Sequence, residues 1–93
     1  MNRGRQLGGP VANPIREMLE TKKSDGVIFD CYDTKKAENT RYAALMLKKR
    51  NGYNYKTMRR GSVLTIYKEN ADPYELRGAN KVYFREEAYN NED

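Results

Sequence analysis

The sequence predicts a single α+β domain in which one main helix packs on a small, mostly antiparallel sheet. The chain has 93 residues, a length that suits one domain. Apolar residues recur at helical spacing in two segments and alternate with polar residues, as in strands, in others. Eight Tyr and two Phe residues supply apolar surface for a core, although charged residues make up 33% of the chain. The predicted order is helix, strand, helix, β-hairpin, short helix, strand.

The first two elements are a short helix and a strand. Asn13 suits the N-cap of the helix, and Pro14 suits its first position, where a missing N–H costs nothing. The run GVIFDCYD, residues 26–33, alternates in the manner of a strand. We expect the core side of this strand to carry Val27, Phe29 and Cys31.

The main helix is predicted over residues 35–51. Asp33 or Thr34 can cap its first turn, and Gly52 suits the left-handed position that ends it. Three cations in the last turn suit the helix dipole. The side expected to face the sheet carries Ala37, Thr40, Ala43, Ala44 and Leu47.

The second half of the chain predicts a hairpin, a short helix and a last strand. The runs YNYKTMRR and SVLTIYKE flank Gly61, which indicates a hairpin, and the alternation leaves open which face meets the main helix. Asp72, Pro73 and Gly78 are typical start and stop residues of a short helix. The last strand is expected over residues 81–86.

The predicted organisation is one domain between two short terminal segments. Residues 1–12 contain three glycines, one proline and two arginines, and they predict a flexible basic arm. The α+β domain covers residues 13–87. Residues 88–93 form an acidic tail.

Residue types that carry catalysis or bind metals are scarce. The chain has no histidine, and its one cysteine, Cys31, lies within a predicted strand. The segment GRQLGG lacks the Lys-Ser/Thr pair of a phosphate-binding loop. We therefore expect no enzyme, no metal and no cofactor. A single cysteine and the lack of a long apolar run predict a cytoplasmic protein without membrane contact.

Charge is distributed unevenly along the chain. Residues 1–34 carry five bases and five acids, and residues 69–93 carry three bases and seven acids. Residues 35–68 carry ten bases and one acid, Glu38. Solvated faces usually mix both signs, so this middle segment predicts a polyanionic or acidic partner.

The stretch KKRNGYNYKTMRRG concentrates these cations and predicts contacts with nucleic-acid phosphates, either DNA or RNA. Two tyrosines lie among the cations and are expected to stack on exposed bases. The basic arm is expected to add further contacts. The predicted nucleic-acid-binding residues are Lys48, Lys49, Arg50, Lys56, Arg59, Arg60, Tyr53, Tyr55, Arg3 and Arg5.

The alternative is a small regulator or inhibitor that binds one host protein. Tyr42, Leu45 and Met46 fall on the outward side of the main helix, and Tyr and Met are enriched at protein interfaces. The last strand also offers an edge that can pair with a second copy of the chain, so a homodimer is a further possibility.

Residues 14–69 resemble a pattern seen in small proteins of bacteriophages and mobile elements. The pattern comprises a short amphipathic helix, a strand opened by Gly, an Ala-rich helix that ends in LKKRNG, and a hairpin that begins YKTMRRG. The resemblance implies this order of elements and an origin in a phage, and hence the host cytoplasm as the location. It implies no functional residue.

Overall fold

The fold is a four-stranded sheet with two helices on one of its faces. The computed structural model describes residues 9–84. In chain order the elements are α1 (Ala12–Glu20), β1 (Gly26–Asp30), α2 (Thr34–Asn51), β2 (Tyr55–Arg60), β3 (Val63–Lys68) and β4 (Asn80–Tyr83). The strands lie in the order β2-β3-β1-β4, and only β1 and β4 pair in parallel. The predicted α+β class and mostly antiparallel sheet are confirmed.

The core lies between the sheet and the two helices. Helix α1 contacts β1 and β4, and α2 contacts β2 and β3. Val27 and Phe29 of β1 are buried, and their cross-strand partners on β3, Ile66 and Leu64, are buried with them. Successive strand side chains point to opposite faces, so these residues form one apolar layer. The predicted core side of the first strand, which continues to the buried Cys31, is confirmed.

Helix α1 begins before the predicted position. Its N-cap is Val11, which makes no side-chain capping bond, whereas Asn13 was expected to cap. Asn13 lies inside the helix, and its N–H donates to the carbonyl of Gly9 at 3.1 Å. Pro14 is therefore the third helical residue, where its missing N–H still costs no intrahelical bond. The core side of α1 is formed by the buried Ile15 and Met18 and the partly buried Leu19.

Helix α2 has the predicted ends. The carboxylate of Asp33 accepts a hydrogen bond from the N–H of Lys36 at 2.7 Å, which satisfies a backbone donor of the first turn. Gly52 ends the helix at φ +67°, and its N–H donates to the carbonyl of Lys48. The inward side is as predicted for Ala37, Thr40 and Ala44, which are buried, but Ala43 is exposed. Ala43 lies about 100° around the helix from Ala44, outside the narrow side that meets the sheet.

The short helix expected between β3 and β4 is absent, since residues 69–79 form turns. Asp72 does make a local cap, because its Oδ1 accepts from the N–H of Tyr74 at 2.9 Å. The N–H groups of Ala71 and Glu75 donate to carbonyls three residues before them, as in turns, whereas other bonds of this part of the chain are long-range. The N–H of Asp25 donates to the carbonyl of Arg77 at 2.8 Å, and the carbonyl of Asp25 accepts from Lys68. These long-range bonds hold the segment across the start of β1 and replace the i to i−4 bonds of a helix.

Residues 69–79 fold back over the face of the sheet opposite to the helices. Leu76 packs against Gly26, where a Cβ would lie 2.7 Å from the Leu76 Cδ1. Gly78 has φ +62°, and a Cβ there would overlap the carbonyl oxygen of Lys23. Glycine is therefore required at Gly78 both by its backbone angle and by the close approach.

The chain ends fall only partly within the described residues. Of the predicted basic arm, residues 1–8 lie outside the described range and Ala12 is already helical. The predicted last strand, 81–86, is β4, with residues 85 and 86 outside the described range. The acidic tail, 88–93, also lies outside it. Strand β4 is at one edge of the sheet, and its pairing with a second copy stays a prediction.

Candidate nucleic-acid interface

The β2–β3 hairpin carries four of the predicted binding residues, Tyr55, Lys56, Arg59 and Arg60. Arg60 lies opposite Val63, so Gly61 and Ser62 form a two-residue turn. Gly61 adopts φ +63°, which glycine reaches at little steric cost. The Nη1 of Arg59 donates to the Gly61 carbonyl at 2.9 Å and braces the turn. The predicted hairpin is therefore confirmed.

The two arginines at the hairpin tip lie on opposite faces of the sheet. Arg59 is on the helix side, where its Nε forms an ion pair with the Oε2 of Glu38 on α2. Glu38 also lies 3.9 Å from the Nη1 of Arg41. Arg60 is on the other side, with its guanidinium 5.7 Å from the ring centroid of Tyr74. Alternation in β2 therefore separates the two arginines, both of which were predicted to bind nucleic acid.

The face of the sheet opposite to the helices is a grid of side chains in three rows. Cross-strand partners share a face, so the register defines the rows. Read from β2 to β4, the rows are Arg60, Val63, Asp30 and Tyr83; Met58, Thr65, Ile28 and Lys81; and Lys56, Tyr67 and Gly26. We call these eleven residues the open face.

The open face is cationic and aromatic. Lys56, Arg60 and Lys81 are exposed, and none of them forms an ion pair with another residue of the range 9–84. Tyr83 is 60% exposed. Asp30 is the acid of this surface and is also exposed. Positive charge therefore exceeds negative charge by two on the open face.

Segment 69–79 adds a second aromatic ring beside this face. Tyr74 is 69% exposed and lies next to the Arg60 guanidinium. Stacking of an arginine on an aromatic ring limits its motion without neutralising its charge. The segment also brings the exposed acids Glu69, Asp72 and Glu75 to the molecule's surface.

The basic end of α2 lies only partly beside the hairpin. The Nζ of Lys48 is 5.9 Å from the ring centroid of Tyr55, the first residue of β2, on the helix side of the sheet, whereas Lys56 lies on the opposite face. Lys49 is exposed at the helix end. Arg50 instead lines a groove of about 280 Å³ between α2 and the start of α1, together with Val11. We call Lys56 and Arg60 the basic edge, because both lie on the edge strand β2.

Tyr55 is part of the core, which corrects its predicted role in stacking on bases. Its side chain is 1% exposed, and its hydroxyl donates to the carbonyl of Ala44 at 2.7 Å. Burial, with a smaller contribution from Tyr53, raises the pKa of Tyr55 to about 12. Tyr53 is half-buried against the same cluster, with its ring centroid 6.3 Å from that of Tyr55. Neither ring belongs to the open face.

Four residues of the candidate interface were not among the predicted site residues: Tyr67, Tyr74, Tyr83 and Lys81. The sequence contains a partial signal, because alternation in VLTIYK and NKVY assigns each residue to one of two strand faces. It does not contain the strand order. Only the placement of β1 between β3 and β4 brings these residues together with Lys56 and Arg60.

The three residues of the alternative protein interface on α2 do not all face outward. Tyr42 is 66% exposed and Leu45 is 36% exposed, so both face outward as predicted. Met46 is partly buried and lines the groove toward α1. The outward patch is therefore smaller than predicted.

Arg3 and Arg5 lie outside the described residues, and their predicted contribution stays a prediction.

Cys31 is a core residue. Its Sγ lies 3.8 Å from the Oγ1 of Thr40, and burial raises the pKa of the thiol. Within residues 9–84, no group of three or more Cys, Asp or Glu side chains is arranged to hold a metal ion. The same part of the chain contains no helix with the length and apolar character needed to cross a bilayer.

The fold and surface define a small α+β domain in which two helices cover one sheet face and residues 69–79 cover part of the other, where Thr65 and Gly26 are buried. Comparison with protein-family models, curated proteins and solved structures found no match. The resemblance to small phage proteins therefore stays a prediction.

Proposed function

We propose that this protein binds nucleic acid without catalysing a reaction, mainly through phosphate contacts along the basic edge. The observation that carries the proposal is the pair Lys56 and Arg60. Both are exposed, both lie on the same face of the edge strand β2, and neither is paired with an acid among residues 9–84. Cations that lack an acidic partner can neutralise phosphates, and the nucleic acid then releases the counterions that had surrounded those phosphates.

The charges near the hairpin support this assignment. The one acid of residues 35–68, Glu38, is engaged by Arg59 and Arg41 on the helix side of the sheet. Glu38 therefore forms no ion pair with Lys56 or Arg60. These two residues are four positions apart, or roughly 13 Å along a strand. One nucleic-acid backbone can contact both through phosphates several nucleotides apart.

The test is a salt titration of binding, read by fluorescence anisotropy of a labelled 20-nucleotide strand and of its duplex. For Lys56→Ala/Arg60→Ala we expect weaker binding and a salt slope lower by about 1.4–1.8, since each lost phosphate contact removes about 0.7–0.9. The matched control is Lys22→Ala/Lys35→Ala, which removes the same charge from exposed positions after α1 and at the start of α2.

Two results contradict the proposal. One is the absence of binding by the wild-type protein at 50 mM salt to either the strand or the duplex. The other is an equal loss of slope in both double variants, which would attribute binding to net charge alone. If the control keeps the wild-type slope, the contact lies at Lys56 and Arg60.

The second candidate is a protein-binding regulator, and the exposure of Tyr42 and Leu45 favours it. These residues are three positions apart on α2 and form an outward apolar pair. The discriminating experiment is a pull-down from nuclease-treated host lysate with the wild type and with Tyr42→Ala. A band lost in Tyr42→Ala but retained in Lys56→Ala/Arg60→Ala would support the regulator and count against the nucleic-acid proposal.

A further inference from the structure

The open face carries aromatic rings in addition to cations, and this combination specifies a class of nucleic acid. We infer that the open face is a stacking platform for single-stranded nucleic acid, with Tyr83 as its principal ring. The inference rests on the proposed function, since it assumes phosphate contacts at the same surface. Beyond the proposed function, it states that the ligand is single-stranded and names the residues that select single strands.

The placement of the rings is the first observation. Tyr83 ends the row that begins with Arg60, and Tyr67 lies in the row that begins with Lys56. From the register, these two tyrosines are two strands and four residues apart, or roughly 16 Å between Cα atoms. Four-stranded sheets are known to stack two or three bases of an RNA strand on their aromatic side chains.

Exposure is the second observation. Tyr83 and Tyr74 are 60% and 69% exposed, although tyrosine rings are normally buried to a larger extent in a folded chain. Both lie on the side of the sheet that no helix covers. Exposed rings beside exposed cations are the arrangement that proteins use to bind unpaired bases, because every base has a π-face.

The distribution of charge gives the orientation of the ligand. Lys56 and Arg60 line β2, at one edge of the face, whereas Asp30 lies on β1 beside Tyr83 of β4. A phosphate is attracted to the β2 edge and repelled by Asp30. A single strand that crosses the sheet along the row from Arg60 to Tyr83 can place a phosphate at Arg60 and a base on Tyr83, which lie three strands or roughly 14 Å apart. Lys81 on β4 adds a cation two residues from Tyr83.

A duplex does not fit this arrangement. Its bases are stacked on one another and offer no free face to Tyr83, so a duplex keeps only the phosphate contacts. No helix within residues 9–84 lies on the open face to enter a major groove, and the segment that lies there, residues 69–79, is held down by Leu76 against Gly26. We therefore expect a preference for single strands over duplexes that comes from the rings and not from the cations.

The experiment compares Tyr83→Leu with Tyr83→Phe by anisotropy, using a labelled 12-nucleotide dT strand, a U strand of the same length and a 12-base-pair duplex. We expect Tyr83→Leu to lose at least about tenfold in affinity for both single strands and to leave duplex binding unchanged, in line with the effect of removing one stacking ring. Tyr83→Phe retains the ring and should bind as the wild type does. Tyr42→Leu is the matched control, with similar exposure on the helix layer.

The outcomes separate this inference from the proposed function. Equal wild-type affinity for strand and duplex, with no effect of Tyr83→Leu, would overturn the stacking platform and leave phosphate binding intact. A loss of affinity in Tyr83→Leu for strand and duplex alike would also overturn it. An absence of binding to every probe would overturn both proposals.

Discussion

Arg59 and Arg60 are consecutive residues of one strand, and their side chains lie on opposite faces of the sheet. Arg59 forms an ion pair with Glu38 and bonds to the Gly61 carbonyl, so it ties the hairpin to α2. Arg60 lies beside Tyr74 and has no acidic partner among residues 9–84. One arginine therefore has a structural role, and the other is available to a ligand.

This difference predicts unequal effects of two substitutions that remove the same charge. Arg60→Ala should weaken nucleic-acid binding and lower the salt slope by about 0.7–0.9, whereas Arg59→Ala should keep the slope. Arg59→Ala should cost less than about 1 kcal/mol of unfolding free energy, because its ion pair is partly exposed. Salt titration and urea unfolding of both variants measure these effects. Equal slopes in the two variants would place the contact at the hairpin tip as a whole.

The buried Tyr55 hydroxyl predicts a loss of stability in base. Its pKa is about 12 in the folded protein, above the value of about 10 for an unfolded chain. Above pH 10 the unfolded chain releases this proton while the folded protein keeps it. The contribution of Tyr55 to the free energy of unfolding is thus complete below pH 10. It is lost as the pH rises toward 12, and the loss is at most about 2–3 kcal/mol.

Replacing Tyr55 with Phe removes this pH dependence. At pH 7 the variant should lose about 0.5–1.5 kcal/mol, because the bond to the Ala44 carbonyl is missing. Between pH 10 and 11.5 its unfolding free energy should fall less steeply than that of the wild type. Urea unfolding followed by circular dichroism measures both effects. Tyr42→Phe, at an exposed position, should follow the wild type, and parallel curves for Tyr55→Phe and the wild type would refute the prediction.

Gly78 and Gly61 allow a test of close packing at matched backbone angles. Both have φ near +60°, but a Cβ at Gly78 meets the Lys23 carbonyl, whereas a Cβ at Gly61 meets nothing within 4 Å. Gly61→Ala should cost about 1–2 kcal/mol for the left-handed conformation alone. Gly78→Ala should cost at least about 2 kcal/mol more, since the backbone must move. Equal losses in urea unfolding would show that residues 69–79 are not held against Lys23.

The burial of Cys31 predicts a protected thiol. Its side chain is 1% exposed, and burial raises its pKa, which lowers the fraction of reactive thiolate. We expect its reaction with a disulfide reagent to be more than about 100-fold slower in the native protein than in urea, since it requires opening of the core. Cys31→Ala/Tyr42→Cys is the control and should react rapidly in both conditions. Rapid native labelling of Cys31 would contradict its place in the core.

The local elements of this protein were predictable because they depend on neighbouring residues. The Asp33 cap and the Gly52 terminus of α2 involve groups within four residues of one another. The hairpin at Gly61 has the same local origin. The core side of β1 followed from alternation alone. The start of α1 was misplaced because the N–H of Asn13 bonds to the carbonyl of Gly9, so the helix starts before Asn13 without a side-chain cap.

Tertiary structure decided the composition of the candidate surface. Local patterns at residues 72–78 favoured a helix, but hydrogen bonds to Asp25, about fifty residues away, determined the path of that segment. Tyr55 was predicted to bind a ligand, yet it packs under α2. Alternation predicts which side chains of one strand lie on the same face. Strand order and register decide which side chains of the other strands lie beside them. The sequence by itself determined that Lys56 and Arg60 share one face of a strand, because alternation is a local property. Only the assembled sheet brought Tyr83 and Lys81 to the same face, because the pairing of β1 with both β3 and β4 is long-range.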